Sequence, residues 1–98
     1  MRLTQKQQKA IKETFLDIFS KGEIYLFGSR VDASKRGGDI DLYIVLEEKL
    51  PISTLFNKKI DFLVELKSKI GEQKIDVLIS KDKNRPIEQE ALKNGVKL

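Results

Sequence analysis

The chain has 98 residues, of which 40% are hydrophobic and 35% are charged. This length predicts a single domain over residues 1–98, because domains of roughly 100 residues are common. The hydrophobic fraction is too high for a disordered chain. The sequence contains no cysteine and no histidine, which excludes disulfides, zinc fingers, thiol catalysis and any histidine base. Its chemistry must therefore use carboxylates, hydroxyls, amines, backbone amides or a metal ion held by oxygen.

The formal net charge is +4, from 19 basic and 15 acidic residues. The two signs are interspersed, as on an ordinary solvated surface, although a face that binds nucleic acid or polyphosphate stays open at this point. No apolar run approaches the roughly 20 residues that span a bilayer, and the N-terminal segment lacks the apolar stretch of a signal peptide. We therefore expect no membrane partner and a cytoplasmic location.

The first predicted element is a helix over residues 4–20. Thr4 and Gln7 have the spacing of a capping box at its start, and Gly22 supplies a stop after it. Four apolar residues recur on one face at helical spacing: Ile11, Phe15, Ile18 and Phe19. This pattern predicts an amphipathic helix that packs on the rest of the domain.

Two predicted strands follow. Residues 24–27 form a short apolar run that ends at Gly28 and predicts a buried strand. Between residues 39 and 46 the side chains alternate, so that one face carries Ile40, Leu42, Ile44 and Leu46 and the other carries Asp39, Asp41, Tyr43 and Val45. We expect Tyr43, which shares the face of the acids, to be a packing residue, with a contact to nucleotide as the alternative. Residues 31–38 predict a loop in which Lys35 and Arg36 are either solvated or in contact with phosphates or a partner.

The second half of the chain predicts a helix, a strand and a short helix. The longer helix opens near Pro51 and ends at Gly71, with an inner face of Phe56, Ile60, Leu63, Leu66 or Lys67, and Ile70. Lys74–Ile79 reads as the third strand, and Pro86 suits the first turn of a last helix that Gly95 terminates. The connection that holds a full helix allows the second and third strands to be parallel, while the first two are expected to be antiparallel. The fold is thus predicted to be α/β (α+β), a small mixed three-stranded sheet flanked by helices.

Three aspartates interrupt otherwise apolar strands. Asp39 and Asp41 lie two residues apart, so they share a face with α-carbons about 6.6 Å apart, and Asp76 lies in the third strand. If the two strands are neighbours, all three carboxylates can meet on one face, where they would suit divalent cations. Each acid taken alone is also compatible with a solvated strand edge or an ordinary salt bridge.

The turn after the first strand has the composition of a phosphate-binding turn. Gly28 permits close approach of a phosphate to the backbone, Ser29 offers a hydroxyl and an amide, and Arg30 adds a fixed positive charge. An ordinary strand-to-helix turn with a serine cap explains the same residues when they are considered alone. The combination with the acids favours a triphosphate site.

The sequence resembles the DNA polymerase β-like nucleotidyltransferase superfamily. The resemblance lies in Phe27-Gly28-Ser29-Arg30, eight further residues, and then Asp39-Ile40-Asp41-Leu42. The short chain and its ending resemble the minimal nucleotidyltransferase (MNT) branch, which is typified by MntA-like antitoxins. The resemblance implies that Asp39 and Asp41 hold two Mg²⁺ ions and that Asp76 helps to hold one ion and activates the acceptor hydroxyl. It also implies that Gly28, Ser29 and Arg30 contact the triphosphate of ATP.

What the resemblance implies about function is protein adenylylation. In the MNT branch the chain is typically encoded beside a HEPN-domain toxin, and some members transfer AMP to a tyrosine of that toxin. We therefore expect an Mg²⁺-dependent antitoxin enzyme of a toxin–antitoxin pair with a HEPN-type toxin as its partner. A non-catalytic antitoxin that occludes a helical partner is the alternative. A nucleic-acid partner is not expected, because the sequence shows neither a helix-turn-helix pattern nor an aromatic stacking platform.

Overall fold

The computed structural model describes residues 3–31 and 38–98. Lys35 and Arg36, which the sequence places in a loop before the acidic pair, lie outside the described residues. The elements in chain order are helix α1 (Gln5–Phe19), strand β1 (Glu23–Phe27), a 3₁₀ turn (Gly28–Val31), strand β2 (Ile40–Val45), helix α2 (Ile52–Ile70), strand β3 (Ile75–Ile79), helix α3 (Pro86–Asn94) and strand β4 (Val96–Lys97).

Helix α1 begins as the sequence predicts and ends slightly earlier. The Thr4 hydroxyl accepts a hydrogen bond from the Gln7 amide at 3.0 Å, and the Gln7 side chain accepts one from the Thr4 amide at 3.0 Å. This confirms the capping box, which satisfies two amides that the first turn leaves without helical partners. At the other end Ser20, with φ of 68°, terminates the helix, so the predicted stop at Gly22 is two residues too late.

The sheet is mixed and has the strand order β3-β2-β1-β4. Strand β1 pairs antiparallel with β2, and β2 pairs parallel with β3, which confirms both predicted directions. The prediction of three strands is wrong by one, because Val96–Lys97 forms a fourth strand antiparallel to β1. Two residues are too few to show the alternation by which a strand is recognised in a sequence, so only tertiary pairing reveals β4.

One face of the sheet packs on α1 and α2 and forms the hydrophobic core. The alternating apolar residues of β1 and β2 are fully or almost fully buried there: Ile24, Leu26, Ile40, Leu42 and Ile44. Ile11, Phe15, Phe62 and Leu66 of the two helices complete this core. The predicted parity of β2 is therefore correct, and it leaves Asp41 and Tyr43 on the opposite face of the sheet.

Helix α2 is rotated relative to the sequence prediction. Its buried side chains are Phe62 and Leu66, whereas Phe56 is 62% exposed and Ile60 is 42% exposed. The prediction that Phe56 and Ile60 line the inner face is therefore wrong. The helix carries apolar residues around more than half of its circumference, so spacing alone leaves two faces that satisfy the helical period. Packing against α1 decides between them, with Lys58 and Lys69 of α2 donating hydrogen bonds to the Ile18 carbonyl and the Thr14 hydroxyl.

The longest helix of the domain, α2, has 19 residues. Lysines and acidic residues recur along it. No helix in the described ranges, α2 included, is long and apolar enough to cross a bilayer.

Candidate active site

Asp41 and Asp76 lie side by side on the sheet face that is turned away from α1 and α2, which we call the acid face. In the parallel pairing of β2 with β3, Asp41 is the register partner of Asp76. Paired residues of neighbouring strands project to the same side of a sheet. Phe27 of β1 pairs with Asp41 from the other side, so strands β1, β2 and β3 adjoin at this point.

The negative charges at this point affect one another. The pKa of Asp41 is raised above its ordinary value, first by burial and then by the charges of Asp76 and Asp39. A raised pKa means that the ionised carboxylate lacks enough positive charge around it. The site as it stands therefore favours a cation or a proton.

The turn after β1 brings the backbone against the Asp41 carboxylate. Gly28 has a φ of 77°, which L-residues rarely adopt, and a β-carbon at this position would collide with the Asp41 carboxylate oxygen. The backbone conformation thus favours glycine, and any side chain here would push the Asp41 carboxylate aside. Ser29 and the half-buried Arg30 follow in the same 3₁₀ turn, so the predicted phosphate-binding turn adjoins the acids.

Asp39 lies just before β2, and its carboxylate is paired with a lysine. The Lys74 ammonium is 3.3 Å from Asp39 Oδ2. The pKa of Lys74 is raised by its hydrogen bond to Asp39 and by the charges of Asp39, Asp76 and Asp41. Lys74 therefore lies near all three acids and supplies positive charge to them. No motif in the sequence marks Lys74 as a site residue, although it directly precedes the strand that carries Asp76.

The donor set of this site has the chemistry that magnesium prefers, since carboxylate oxygens are its usual protein ligands. The raised pKa of Asp41 also indicates that a cation would stabilise its ionised carboxylate. Nevertheless, among the described residues no three acidic side chains are grouped closely enough to hold a metal ion. The structure brings Asp41 and Asp76 together, and Asp39, close enough to affect the pKa of Asp41, is paired with Lys74.

Tyr43 and Glu88, which no sequence motif marks as catalytic, form a buried network beside the acids. Tyr43, fully buried and two residues beyond Asp41, packs against Tyr25 and Phe27, which confirms its predicted packing role. Its hydroxyl also donates a 2.8 Å hydrogen bond to Glu88 of α3. The alternation along β2 places Tyr43 on the same face as Asp39 and Asp41, but nothing in the sequence pattern pairs it with Glu88.

Glu88 anchors the loop between β3 and α3. Its carboxylate is completely buried and accepts hydrogen bonds from the Ser80 hydroxyl at 2.5 Å and from the Lys81 and Asp82 amides at 3.0 and 2.9 Å. Burial alone would raise the pKa of Glu88, but these hydrogen bonds and that of Tyr43 lower it to about 2. Glu88 therefore remains ionised and holds α3 against the strands that carry the acids.

Two surface cavities lie away from the acids. One, of about 240 Å³, is lined by residues at the C-terminal ends of α1 and β2 and by Lys58. The other, of about 310 Å³, lies between the N-terminal half of α2 and strand β3. Among the described residues that line them, neither cavity includes any of the six predicted site residues.

Comparison with known proteins places this geometry in a family. The family model described as polymerase beta, nucleotidyltransferase, matches residues 9–98. Among solved structures, the fold is similar to a chain of a toxin–antitoxin MntA-HpeT mutant, with a TM-score of 0.67 and 20% sequence identity over 93% of this chain and 70% of that chain. No curated protein matches the sequence.

Proposed function

Because the chain belongs to the polymerase beta nucleotidyltransferase family, we propose that it is an Mg²⁺-dependent enzyme that transfers AMP from ATP to a protein hydroxyl group. The proposed acceptor is a tyrosine of a HEPN-type toxin, which the chain neutralises as an antitoxin. The observation that carries the proposal is the juxtaposition of Asp41, Asp76 and the Gly28 turn. Transfer from a triphosphate requires backbone amides that bind phosphate oxygens, and acids that hold metal ions and accept the proton of the acceptor hydroxyl. These groups must lie close together, as they do here.

The three aspartates have distinct parts in the proposed reaction. Asp39, Asp41 and Asp76 would hold two Mg²⁺ ions, which neutralise phosphate charge and make the attacking hydroxyl more acidic. The acceptor oxygen forms a bond to the α-phosphorus of ATP, and the bond from that phosphorus to the pyrophosphate breaks. Asp76 is exposed and takes the proton that the acceptor hydroxyl loses.

The turn positions the nucleotide. The backbone amides of Gly28 and Ser29 bind triphosphate oxygens, and the absence of a side chain at Gly28 keeps this approach open beside Asp41. Arg30 contributes a fixed positive charge to the same turn. This arrangement favours transfer by positioning and charge neutralisation, as in other phosphoryl-type reactions.

Similarity to a chain of a toxin–antitoxin pair supports a protein as the acceptor. The similar solved chain comes from a toxin–antitoxin mutant in which two aspartates, two residues apart, are replaced by glutamate. That spacing matches Asp39 and Asp41.

The test is AMP transfer to a HEPN-domain protein encoded beside this chain. With ATP and Mg²⁺ the intact mass of that protein should rise by whole AMP residues, and parallel reactions with the other three nucleoside triphosphates identify the base. D41N should abolish the shift, whereas D61N, which alters an exposed aspartate on α2, should leave it unchanged. An unchanged mass with all four nucleotides, or full modification by D41N, would contradict the proposal.

The second candidate function is non-catalytic occlusion of the toxin. It is favoured by the pairing of Asp39 with Lys74 instead of with the other two acids. A cell that expresses the toxin together with the D39A/D41A variant separates the two functions. Growth at the wild-type rate would support occlusion, and loss of growth with a folded variant would support transfer.

A further inference from the structure

Helix α2 presents a second apolar face to solvent. Ile52, Phe56, Ile60 and Val64 recur every four residues and are 85%, 62%, 42% and 66% exposed. We call these four residues the outer stripe. At 1.5 Å per residue it runs for about 18 Å along the helix. Scattered exposed apolar residues are ordinary on a protein surface, but a continuous stripe of this kind marks an interaction site.

The outer stripe borders a groove. The cavity of about 310 Å³ lies between Ile52 and Phe56 of α2 and residues 77–81 at the end of β3. Strand β3 is at the edge of the sheet, and within the described ranges no strand pairs with its outer side. Stripe and groove together form one open apolar surface that joins α2 to the strand carrying Asp76.

The charged residues that line the groove are all basic. Among the described residues that line it are Lys59, Lys81 and Arg85, and no acidic residue. Arg85 contacts the buried Glu88 at 3.4 Å, whereas Lys81 is exposed and Lys59 half-buried. An occupant of the groove should therefore combine apolar side chains with carboxylates.

A second copy of this chain does not have that chemistry at this face. In a symmetric dimer the same patch is present on both subunits, so pairing through the groove would bring Lys59 and Lys81 of one copy towards the same lysines of the other. The resulting repulsion favours a different protein. The four-residue repeat of the outer stripe matches the ridge that one helix offers to another.

We propose that the outer stripe and the adjoining groove form a docking surface for an amphipathic helix whose apolar side is flanked by acidic residues. The inference deepens the proposed function, on which it rests for the identity of the partner, namely the toxin. Helix α2 leads into β3 from the end at which Asp76 lies. The groove borders the N-terminal half of α2 and the opposite end of β3, and α2 packs on the sheet face opposite to the acid face. A helix docked there holds its protein and leaves the acid face open to another part of that protein.

The experiment measures binding of synthetic peptides to the intact chain in a chelating buffer without nucleotide. The probe is a fluorescent 16-residue helical peptide with leucine at every third or fourth position and glutamate beside it. One control peptide has lysine in place of glutamate, and another has the same composition in scrambled order. Fluorescence anisotropy should show tight binding of the first peptide and at least tenfold weaker binding of both controls.

Variants of the chain locate the surface. F56D and V64D should each weaken binding of the acidic peptide at least tenfold, whereas I87D, which alters an apolar residue of α3 that is 47% exposed, should not. The K59E/K81E variant should lose the acidic peptide and gain the lysine peptide. Equal binding by F56D and wild type, or no binding of the acidic peptide, would overturn the proposal.

Two further outcomes are informative. If sedimentation shows that the chain dimerises and that F56D is monomeric, the occupant is a second copy and the proposal is wrong. The D41N variant should bind the acidic peptide as wild type does. Failure of AMP transfer with intact peptide binding would contradict the proposed function alone, and failure of peptide binding with intact transfer would contradict the docking surface alone.

Discussion

Gly28 shows how one residue can connect backbone conformation with a functional site. Its φ of 77° and its contact with Asp41 both exclude a side chain, whereas Gly71, with φ of 93°, has nothing within 4 Å of an added β-carbon. Replacing Gly71 should therefore cost backbone strain only, whereas replacing Gly28 should cost backbone strain and a collision with Asp41. The difference between the two variants measures the effect of the collision.

We expect G71A to lower the free energy of unfolding by about 1–3 kcal/mol, because its φ of 93° and ψ of 172° lie in a region that essentially only glycine adopts, and G28A to lower it by more. G28A should also weaken binding of ATP in the presence of Mg²⁺, because the collision displaces Asp41. Thermal unfolding and calorimetric titration measure the two effects. Equal destabilisation by G28A and G71A, with unchanged ATP binding, would contradict this assignment.

Lys74 is the second residue whose effect can be isolated. It occupies one carboxylate that the proposed metal site needs, and it adds positive charge near the other two. We expect K74M to raise the affinity for Mn²⁺ roughly threefold to tenfold, since an exposed ion pair and one nearby charge contribute modestly. The free Mn²⁺ signal in electron paramagnetic resonance reports this affinity.

The matched control for Lys74 is K97M. Lys97 forms an ion pair with Glu23 at 2.8 Å but belongs to β4 at the other edge of the sheet. K97M should leave Mn²⁺ affinity unchanged. Weaker binding by K74M than by wild type would show that the lysine supports the metal site instead of competing with it.

At the scale of elements, α3 depends on a single buried carboxylate. Because the pKa of Glu88 is about 2 in the fold and 4.5 is its ordinary value, ionisation of Glu88 stabilises the folded chain above pH 4.5. That contribution disappears as the pH falls towards 2. We expect E88Q to lower the free energy of unfolding by about 3 kcal/mol at pH 7.

Denaturant unfolding at pH 7 and pH 3 tests the role of Glu88. The difference between E88Q and wild type should shrink to about half or less at pH 3, since wild type loses part of its advantage there. E90Q, on the same helix and exposed, should change the stability by less than about 0.5 kcal/mol at either pH. A pH-independent effect of E88Q would show that packing, and not ionisation, is what Glu88 provides.

The elements themselves differ in how far sequence predicts them. Helix α1 is predictable because its capping box fixes where it starts and its apolar spacing allows one buried face. Strand β2 is predictable because the alternation of apolar and polar residues allows one face to be buried. Helix α2 carries two apolar faces, so the buried pair Phe62 and Leu66 emerges only from packing. Strand β4 is too short to be recognised without its pairing to β1.

At the scale of the whole molecule, we expect the clustered acids to lower the free energy of unfolding when no cation is bound. The raised pKa of Asp41 means that its ionised form opposes folding at neutral pH. We expect D41N to raise the free energy of unfolding in a chelating buffer, by about 1 kcal/mol or less, and Mg²⁺ to stabilise wild type more than D41N. Thermal unfolding with and without Mg²⁺ measures both.

The Asp41 prediction has a clear opposite outcome. If D41N is less stable than wild type without metal, the carboxylate is satisfied by contacts within the protein and no cation is missing. D61N, at an exposed position on α2, controls for the loss of one negative charge from the molecule. It should change neither the stability nor the response to Mg²⁺ appreciably.

The sequence by itself determined which side chains carry the chemistry and which face of β2 they occupy, because residue type and a period of two are local properties of the chain. It also determined the family, through the spacing of the glycine turn and the acidic pair. Only the tertiary structure decided that Asp41 lies opposite Asp76, that Lys74 holds Asp39, that Glu88 anchors α3, and which side of α2 remains open. These depend on strand register and helix rotation, which are set by contacts between residues far apart in the chain.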